Sequence, residues 1–389
     1  MILRARHLDS ALVRRRHPAT RRILVAARTA MEYAVMAPVC RALESDPRLS
    51  VYLTTSSNPS VVYREVSLPA SMIGPSRAAL AKFDAYLVAD LLWLTLPRGT
   101  RRIQMFHGVA GKYGRLYDKP DRPMDEWDRL FFINRLRMRK FFAAGALRPD
   151  SKAARLVGMP KTDCLVDGSL KRDQILISLG LDPARKTVLL APTWTPYSLM
   201  NVMGETLIEE LSRAGYLVLV KLHENSLDPL FANSGGVDWK SRLMPLLSRC
   251  GGVLATGSDA GPLMAAADLL ITDHSSVGFE YMLLDRPVIR IEVPDLIAKT
   301  NISADYVRLM SDASTTAQDP ARAVQCVEQA LADPKRQSAS RQAVSELLFY
   351  RPGTATARAV LEIYEVLELE PPPQTLQQEE GVFERNPYL

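Results

Sequence analysis

The chain carries only five histidines, and three of them follow short aliphatic runs: His107 after IQMF, His223 after LVLVKL and His274 after LLITD. An imidazole titrates near neutral pH, so each can hold or transfer a proton. Parallel α/β sheets collect ligands at the carboxyl ends of their strands, where loops and helix N-termini converge. A single histidine there is commonly structural. Three at equivalent points make a shared ligand cleft the more economical reading.

At Asp273–Phe279, DHSSVGF, an expected strand runs into small hydroxyl residues and then a helix. The first N–H groups of a helix lack intrahelical acceptors and carry partial positive charge, so a phosphate there gains amide bonds and the hydroxyls of Ser275 and Ser276. A plain helix cap by Asp273 or a serine explains the same residues equally well. Lys221 and His223 lie two apart at one strand end, which puts both side chains on one face. That pair is either a phosphate-binding charge beside a proton carrier, or an edge lysine beside a loop histidine. Thr193 and Trp194, in APTW, close another buried run and either line a nucleotide or pack between domains.

His107-Gly108 is followed by Lys112 and Arg115 in a glycine-containing loop. A histidine facing a cleft can accept the proton of an attacking hydroxyl, and Gly108 lets backbone come close to a ligand. This loop is the candidate acceptor side.

The elements that must position these residues alternate. Arg22–Ala27, Leu49–Thr55, Ala85–Ala89 and Ile103–Phe106 read as strands, with a helix ending in MAPVCRALESDP between the first two. After Gly158 the pattern restarts: a helix at Lys171–Leu181, strands at Thr187–Ala191, Tyr216–Leu222, Gly252–Ala255 and Leu269–Thr272, and a helix at Gly204–Ala214. Asp319–Asp333, Lys335–Phe349 and Ala355–Leu367 have helical composition. Short apolar runs alternating with helical stretches predict parallel sheets covered by helices. The expected organisation is a basic arm at 1–21, a Rossmann-like domain at 22–160 that carries the candidate acceptor loop, and a Rossmann-like domain at 161–350 that carries the candidate phosphate turn. A helix at 351–369 is expected to cross back to the first domain, and 370–389 forms a tail.

With 389 residues, 47% of them hydrophobic and 24% charged, the chain has the composition of two ordinary globular domains. No apolar run approaches the length of a membrane span, and the start lacks a signal-peptide core, so a cytoplasmic protein is expected. Four cysteines lie far apart, without the spacing of a zinc site. No metal or other cofactor is required, and no compact acidic cluster asks for one. Residues 1–22 hold seven arginines, two histidines and one acid. They are either a solvated tail or a segment that attaches peripherally to the inner face of an anionic membrane. Nucleic acid is not expected as a partner, because no aromatic RNA-binding signature accompanies the charge.

Taken in order, these segments resemble the CDP-glycerol glycerophosphotransferase family, the teichoic-acid primases and polymerases and their capsule relatives. The family pattern WHGTPxK is echoed by Phe106-His107-Gly108-Val109-Ala110-Gly111-Lys112, GxPRxD by Gly158-Met159-Pro160-Lys161-Thr162-Asp163, APTWRD by Ala191-Pro192-Thr193-Trp194-Thr195, and KxHP by Lys221-Leu222-His223. TDYSSxxFDYxLLxKPxI corresponds to Thr272–Ile289, and G-x-A-x-x-R to Gly353–Arg358. The chain departs from these patterns at Phe106, Val109, Thr195 and His274, the last standing where the family has tyrosine.

The resemblance implies a GT-B-like α/β fold, two Rossmann-like domains with parallel sheets facing a central cleft. It also implies transfer of a polyol phosphate from a CDP-linked donor to an acceptor hydroxyl on a lipid-linked or glycan acceptor, releasing CMP. By the resemblance His107 is the general base, His223 binds or protonates the donor phosphates, and Ser275 and Ser276 hold the diphosphate. Lys221, Asp273, His274 and Glu280 complete the donor side with Thr193 and Trp194. Beside that phosphate His274 is expected to take a charge when ligand binds. Two alternatives remain at this point: a GT-B glycosyltransferase or epimerase using a UDP-sugar, for which Asp273 and Glu280 supply carboxylates, and a non-catalytic nucleotide-binding scaffold.

Overall fold

The computed structural model describes residues 20–64, 71–90, 96, 99–113, 124–230 and 235–378. The basic arm, apart from its last two residues, and the end of the tail lie outside the described residues. The chain divides into two compact units, one comprising Met1–Val109, Leu116–Asp163 and Phe349–Leu389, the other Ala110–Arg115 and Cys164–Leu348.

The first unit holds strands β1 (Arg21–Ala26), β2 (Leu49–Thr54), β3 (Ala85–Val88), β4 (Arg101–Met105), β5 (Arg129–Phe132) and β6 (Ala154–Leu156), ordered β2-β1-β3-β4-β5-β6. Every pairing is parallel. Alternate residues of β1 enter two different cores, Ile23 and Val25 one, Leu24 and Ala26 the other. Both faces of the sheet are therefore covered. This is why the strands read as continuous aliphatic runs rather than as polar/apolar alternation.

One face is covered by the helices Ala30–Glu44 and Ala355–Leu367, the latter through Ala359, Val360, Ile363 and Tyr364. The entry to this last helix is held by a clasp. Asp163 accepts the backbone N–H groups of Gly353, Ala355 and Thr356 at 2.9, 3.1 and 2.7 Å. Arg358, fully buried, donates to the carbonyls of Val157, Tyr350 and Arg351. Gly158 takes φ +92°, and a Cβ there would sit 2.6 Å from the Tyr350 carbonyl oxygen. Only glycine fits. The segments GMPKTD and GTATAR are thus two halves of one structural joint.

The second unit holds β7 (Thr187–Leu190), β8 (Leu217–Lys221), β9 (Val253–Ala255), β10 (Leu269–Thr272), β11 (Val288–Ile291) and β12 (Thr315–Ala317), ordered β12-β11-β10-β7-β8-β9 and parallel throughout. Numbered from its own first strand, this sheet runs 3-2-1-4-5-6, the dinucleotide-binding Rossmann order. The order reverses between β7 and β10, the topological switch point at which sheets of this order collect ligands. The fold class expected from the sequence, α/β with two parallel Rossmann-like sheets, is the one observed.

Four strands escape the sequence reading. β6 and β12 have three residues each, too few to show any period. β5, RLFF, merges in composition with the helix Arg135–Ala143 that follows it, and β11, VIRI, carries the buried charge of Arg290. The helix expected at Gly204–Ala214 begins at Leu199, because Gly204 is interior and packed against Met200 rather than marking a start.

Candidate active site

In the first unit, His107 follows β4 directly and is partly exposed. Its Nδ1 lies 2.8 Å from the carbonyl oxygen of Ala89, the residue after β3. A carbonyl can only accept, so Nδ1 carries the proton, and in the neutral ring Nε2 keeps its lone pair. The backbone thereby selects the tautomer of His107. The loop that carries His107 is braced from below: Asn134 donates to the Val109 carbonyl at 2.8 Å, and the Arg137 guanidinium donates to the Gly108 carbonyl. A Cβ on Gly108 would lie 2.8 Å from Arg137 Nη1. The space that a side chain at this position would need is taken by Arg137. Neither Asn134 nor Arg137 was flagged by the sequence, and their spacing from His107 gives no signal. Arg115 lies outside the described residues.

In the second unit, the segments after β7, β8 and β10 hold the expected donor residues. β8 ends at Lys221, so strand alternation does not carry on to His223 as the sequence predicted. Lys221 is buried and donates to the Leu222 carbonyl at 2.7 Å, whereas His223 caps the short helix Glu224–Leu227. The Asn225 N–H donates to His223 Nδ1 at 3.1 Å. Nδ1 is therefore unprotonated and the neutral ring carries its proton on Nε2, the opposite tautomer to His107. The Trp194 ring packs beside it, 5.8 Å between centroids.

Asp273, fully buried, does not cap the helix after it. Its carboxylate accepts the N–H of Thr193 at 2.9 Å and that of Leu199, the first residue of the helix Leu199–Arg213, at 3.1 Å. Thr272 donates its hydroxyl to the Ala191 carbonyl at 2.7 Å. Together they stitch the end of β10 to the loop after β7, on either side of the switch point. Burial raises the Asp273 pKa, opposed by the charge of Lys112 and by the two backbone donors.

Ser275 is half-buried and Ser276 exposed at the start of the helix Val277–Met282, with no side-chain cap from Ser276. The helix has only six residues, so its dipole is small.

His274 is fully buried, and neither ring nitrogen has a hydrogen-bond partner. Burial first, then the charges of Arg290 and Lys112, push its pKa down to about 4. Glu280 is buried as well. Neither carboxylate named for a sugar-nucleotide reaction, Asp273 or Glu280, reaches the surface.

Lys112 is placed differently from its sequence neighbourhood. Expected beside His107, it belongs to the second unit, where its ammonium donates to Thr193 Oγ1 at 3.0 Å. Among the described residues no group of three or more His, Cys, Asp or Glu is placed to hold a metal ion. No helix among them is long and apolar enough to cross a membrane.

Residues 76–365 match the family model described as CDP-Glycerol:Poly(glycerophosphate) glycerophosphotransferase. The chain is 27% identical over 200 residues to a teichoic acid poly(glycerol phosphate) polymerase of Staphylococcus epidermidis, covering 48% of this chain and 25% of that one. It is 31% identical over 138 residues to a teichoic acid glycerol-phosphate primase of Bacillus subtilis, covering 34% of this chain and 32% of the other. These matches span a quarter to a third of the length of those relatives.

Among solved structures, the wall teichoic acid polymerase TagF superposes with TM-score 0.66 at 18% identity, covering 94% of this chain and 98% of that one. A UDP complex of MnaA from S. aureus superposes at 0.57 with 16% identity, covering 90% and 98%. At these identities the likeness is one of fold. The family match spans most of the chain and takes in both histidine-bearing strand ends, the APTW turn and the serine turn, and so this chain belongs to the CDP-glycerol:poly(glycerophosphate) glycerophosphotransferase family.

Proposed function

We propose that this protein transfers a polyol phosphate, glycerol phosphate or a close analogue, from a CDP-linked donor to an acceptor hydroxyl in the synthesis of a teichoic-acid-like or capsule-like polymer. The observation that carries the reading is the pair of opposed tautomers: a proton-accepting Nε2 on His107 and a proton-bearing Nε2 on His223. Family membership supports the same donor class.

In this reading the acceptor oxygen attacks the donor's β-phosphorus, a new P–O bond forms, and the P–O bond to the bridging oxygen breaks so that CMP leaves. His107 takes the hydroxyl proton at Nε2. His223 donates Nε2–H to a donor phosphate oxygen, with the Ser275 and Ser276 hydroxyls beside it and Trp194 along the nucleotide. Phosphoryl transfer needs positioning and charge stabilisation more than covalent help from protein, which suits a site of this composition. The acceptor is a lipid-linked or glycan hydroxyl. The basic residues 1–22 hold the enzyme at an anionic membrane surface; removing 1–20 should weaken sedimentation with phosphatidylglycerol vesicles and leave turnover of a soluble acceptor unchanged.

A donor panel tests the central reading. CDP-glycerol, CDP-ribitol, UDP-glucose and UDP-N-acetylglucosamine are offered with a polyol-phosphate acceptor, and released CMP or UDP is quantified. CMP from a CDP-polyol with growth of the acceptor supports the proposal. UDP release alone assigns the chain to the sugar-nucleotide alternative, and nucleotide binding without any release makes it a scaffold.

A further inference from the structure

Lys112 is held at both ends by the second unit. Its carbonyl accepts the N–H of Ser303 at 2.9 Å, and Ser303 caps the helix Ala304–Asp312 through its hydroxyl. Its ammonium donates to Thr193 Oγ1 and lies 5.5 Å from the ring centre of Tyr113 and 5.9 Å from that of Tyr306. Thr193 in turn is fixed by its own N–H, given to Asp273. An unbroken run of contacts thus leads from the end of β10, through the loop after β7, to the lysine ammonium, all at the switch point of a dinucleotide-binding sheet. Asp273 is fully buried, whereas Lys112 as a residue is only partly so.

We propose that Lys112 is a donor-side residue whose ammonium, aimed by Thr193, binds the diphosphate of the nucleotide, and that Asp273 is the positioning residue that fixes both. The assignment rests on the donor-site reading above and changes the side of the reaction to which this lysine belongs. The groups facing the ammonium are Asp273 at the end of β10, His274 beside it, Tyr113 on its own segment and Tyr306 on the helix Ala304–Asp312. Tyr306 is held neutral by burial and burial lowers the His274 pKa, so Asp273 is the one carboxyl group among them.

This arrangement has a readout that a structural lysine would not share. Burial lowers the Lys112 pKa to about 8, with Asp273 pulling the other way. A diphosphate favours the ammonium form, so CDP affinity is full below that pH and falls above it, by up to roughly tenfold per pH unit. CDP binding to the full chain is measured by titration calorimetry from about pH 7 to about pH 9.5, a range chosen to bracket this pKa and stay below that of an ordinary lysine. Wild type is compared with Lys112→Arg, Lys112→Met and Asp273→Asn, each checked for a native melting transition.

The wild type is expected to lose affinity across the range. Lys112→Arg, which stays charged, is expected to be flat, and Lys112→Met weak throughout. Asp273→Asn should lose affinity from a lower pH, because the ammonium has lost its facing anion. A fall retained in Lys112→Arg, or wild-type affinity in Lys112→Met near neutral pH, overturns the assignment. The two readings fail separately: the lysine-dependent fall without CMP release from CDP-glycerol sinks only the transfer reaction, and transfer with no lysine dependence sinks only this inference. A wild type that binds no CDP overturns both.

Discussion

His107 and His223 stand just beyond strand ends in two parallel sheets, and their sequence settings are nearly interchangeable: a short aliphatic run, then an imidazole. Their hydrogen bonds are opposite. His107 gives its Nδ1 proton to a carbonyl, and His223 receives a backbone N–H at the same atom. The difference arises one strand away in one case and two residues ahead in the other, and it decides which nitrogen can take a proton and which can give one. A histidine's chemical role here is written by backbone groups whose positions the fold determines.

The largest break in that comparison is His107→Ala, which should lower transfer by about 10²–10⁴-fold, roughly 3–5 kcal/mol of barrier, with CDP affinity unchanged. His223→Ala should instead weaken CDP binding as well as turnover. If both variants lose turnover and neither changes CDP affinity, the donor-side role of His223 is wrong.

Two buried carboxylates extend the comparison. Asp163 and Asp273 each accept backbone N–H groups at a helix entry, Asp163 at the last long helix of the first unit and Asp273 beside the Thr193–Lys112 contact of the second. Asp163→Ala should destabilise the chain by roughly 2–4 kcal/mol in urea unfolding. CDP affinity of the folded fraction should remain normal. A fall in affinity at full folding would show that the clasp communicates with the donor site.

The smallest effect concerns acid. Burial raises the Asp285 pKa, but bonds from Lys335, Ser338 and Arg341 outweigh it and bring it to about 2. Its folded pKa lies below its unfolded one, so the stabilisation is present above about pH 4 and is lost as pH falls through about 2. The size is about 2 kcal/mol, in the second unit. Asp46 in the first unit is likewise brought to about 2, chiefly by the side chain of Arg48. Arg48 reaches solvent, as does Lys335, but Asp285 also pairs with the buried Arg341, which solvent does not screen, so Asp46→Asn should flatten the acid limb of the unfolding curve less than Asp285→Asn. Equal flattening would contradict the ranking.

Much of the architecture was legible because parallel strands buried on both faces leave unbroken aliphatic runs. β1, β3, β7, β8 and β10 were read within a residue or two of their observed ends. β6 and β12 were not, since three residues carry no period, and the charge within β11 hid it. At the site, the histidines and the serine turn were visible by residue type. What they are bonded to was not: Asp273 as a bracket, the burial of His274, and the placement of Lys112 with Thr193 all depend on contacts between segments distant in sequence. Asp163 and Arg358 lie in motifs to which the sequence assigned no role, and they build a joint.

The central claim is tested most directly by following CDP-glycerol with phosphorus NMR in the presence of a polyol-phosphate acceptor. Loss of the diphosphate signals, with matched growth of CMP and of a new phosphodiester, is the predicted result, and His107→Ala should show neither product. Persistence of the diphosphate in the wild type across acceptors, or CMP formation that survives His107→Ala undiminished, would contradict the account.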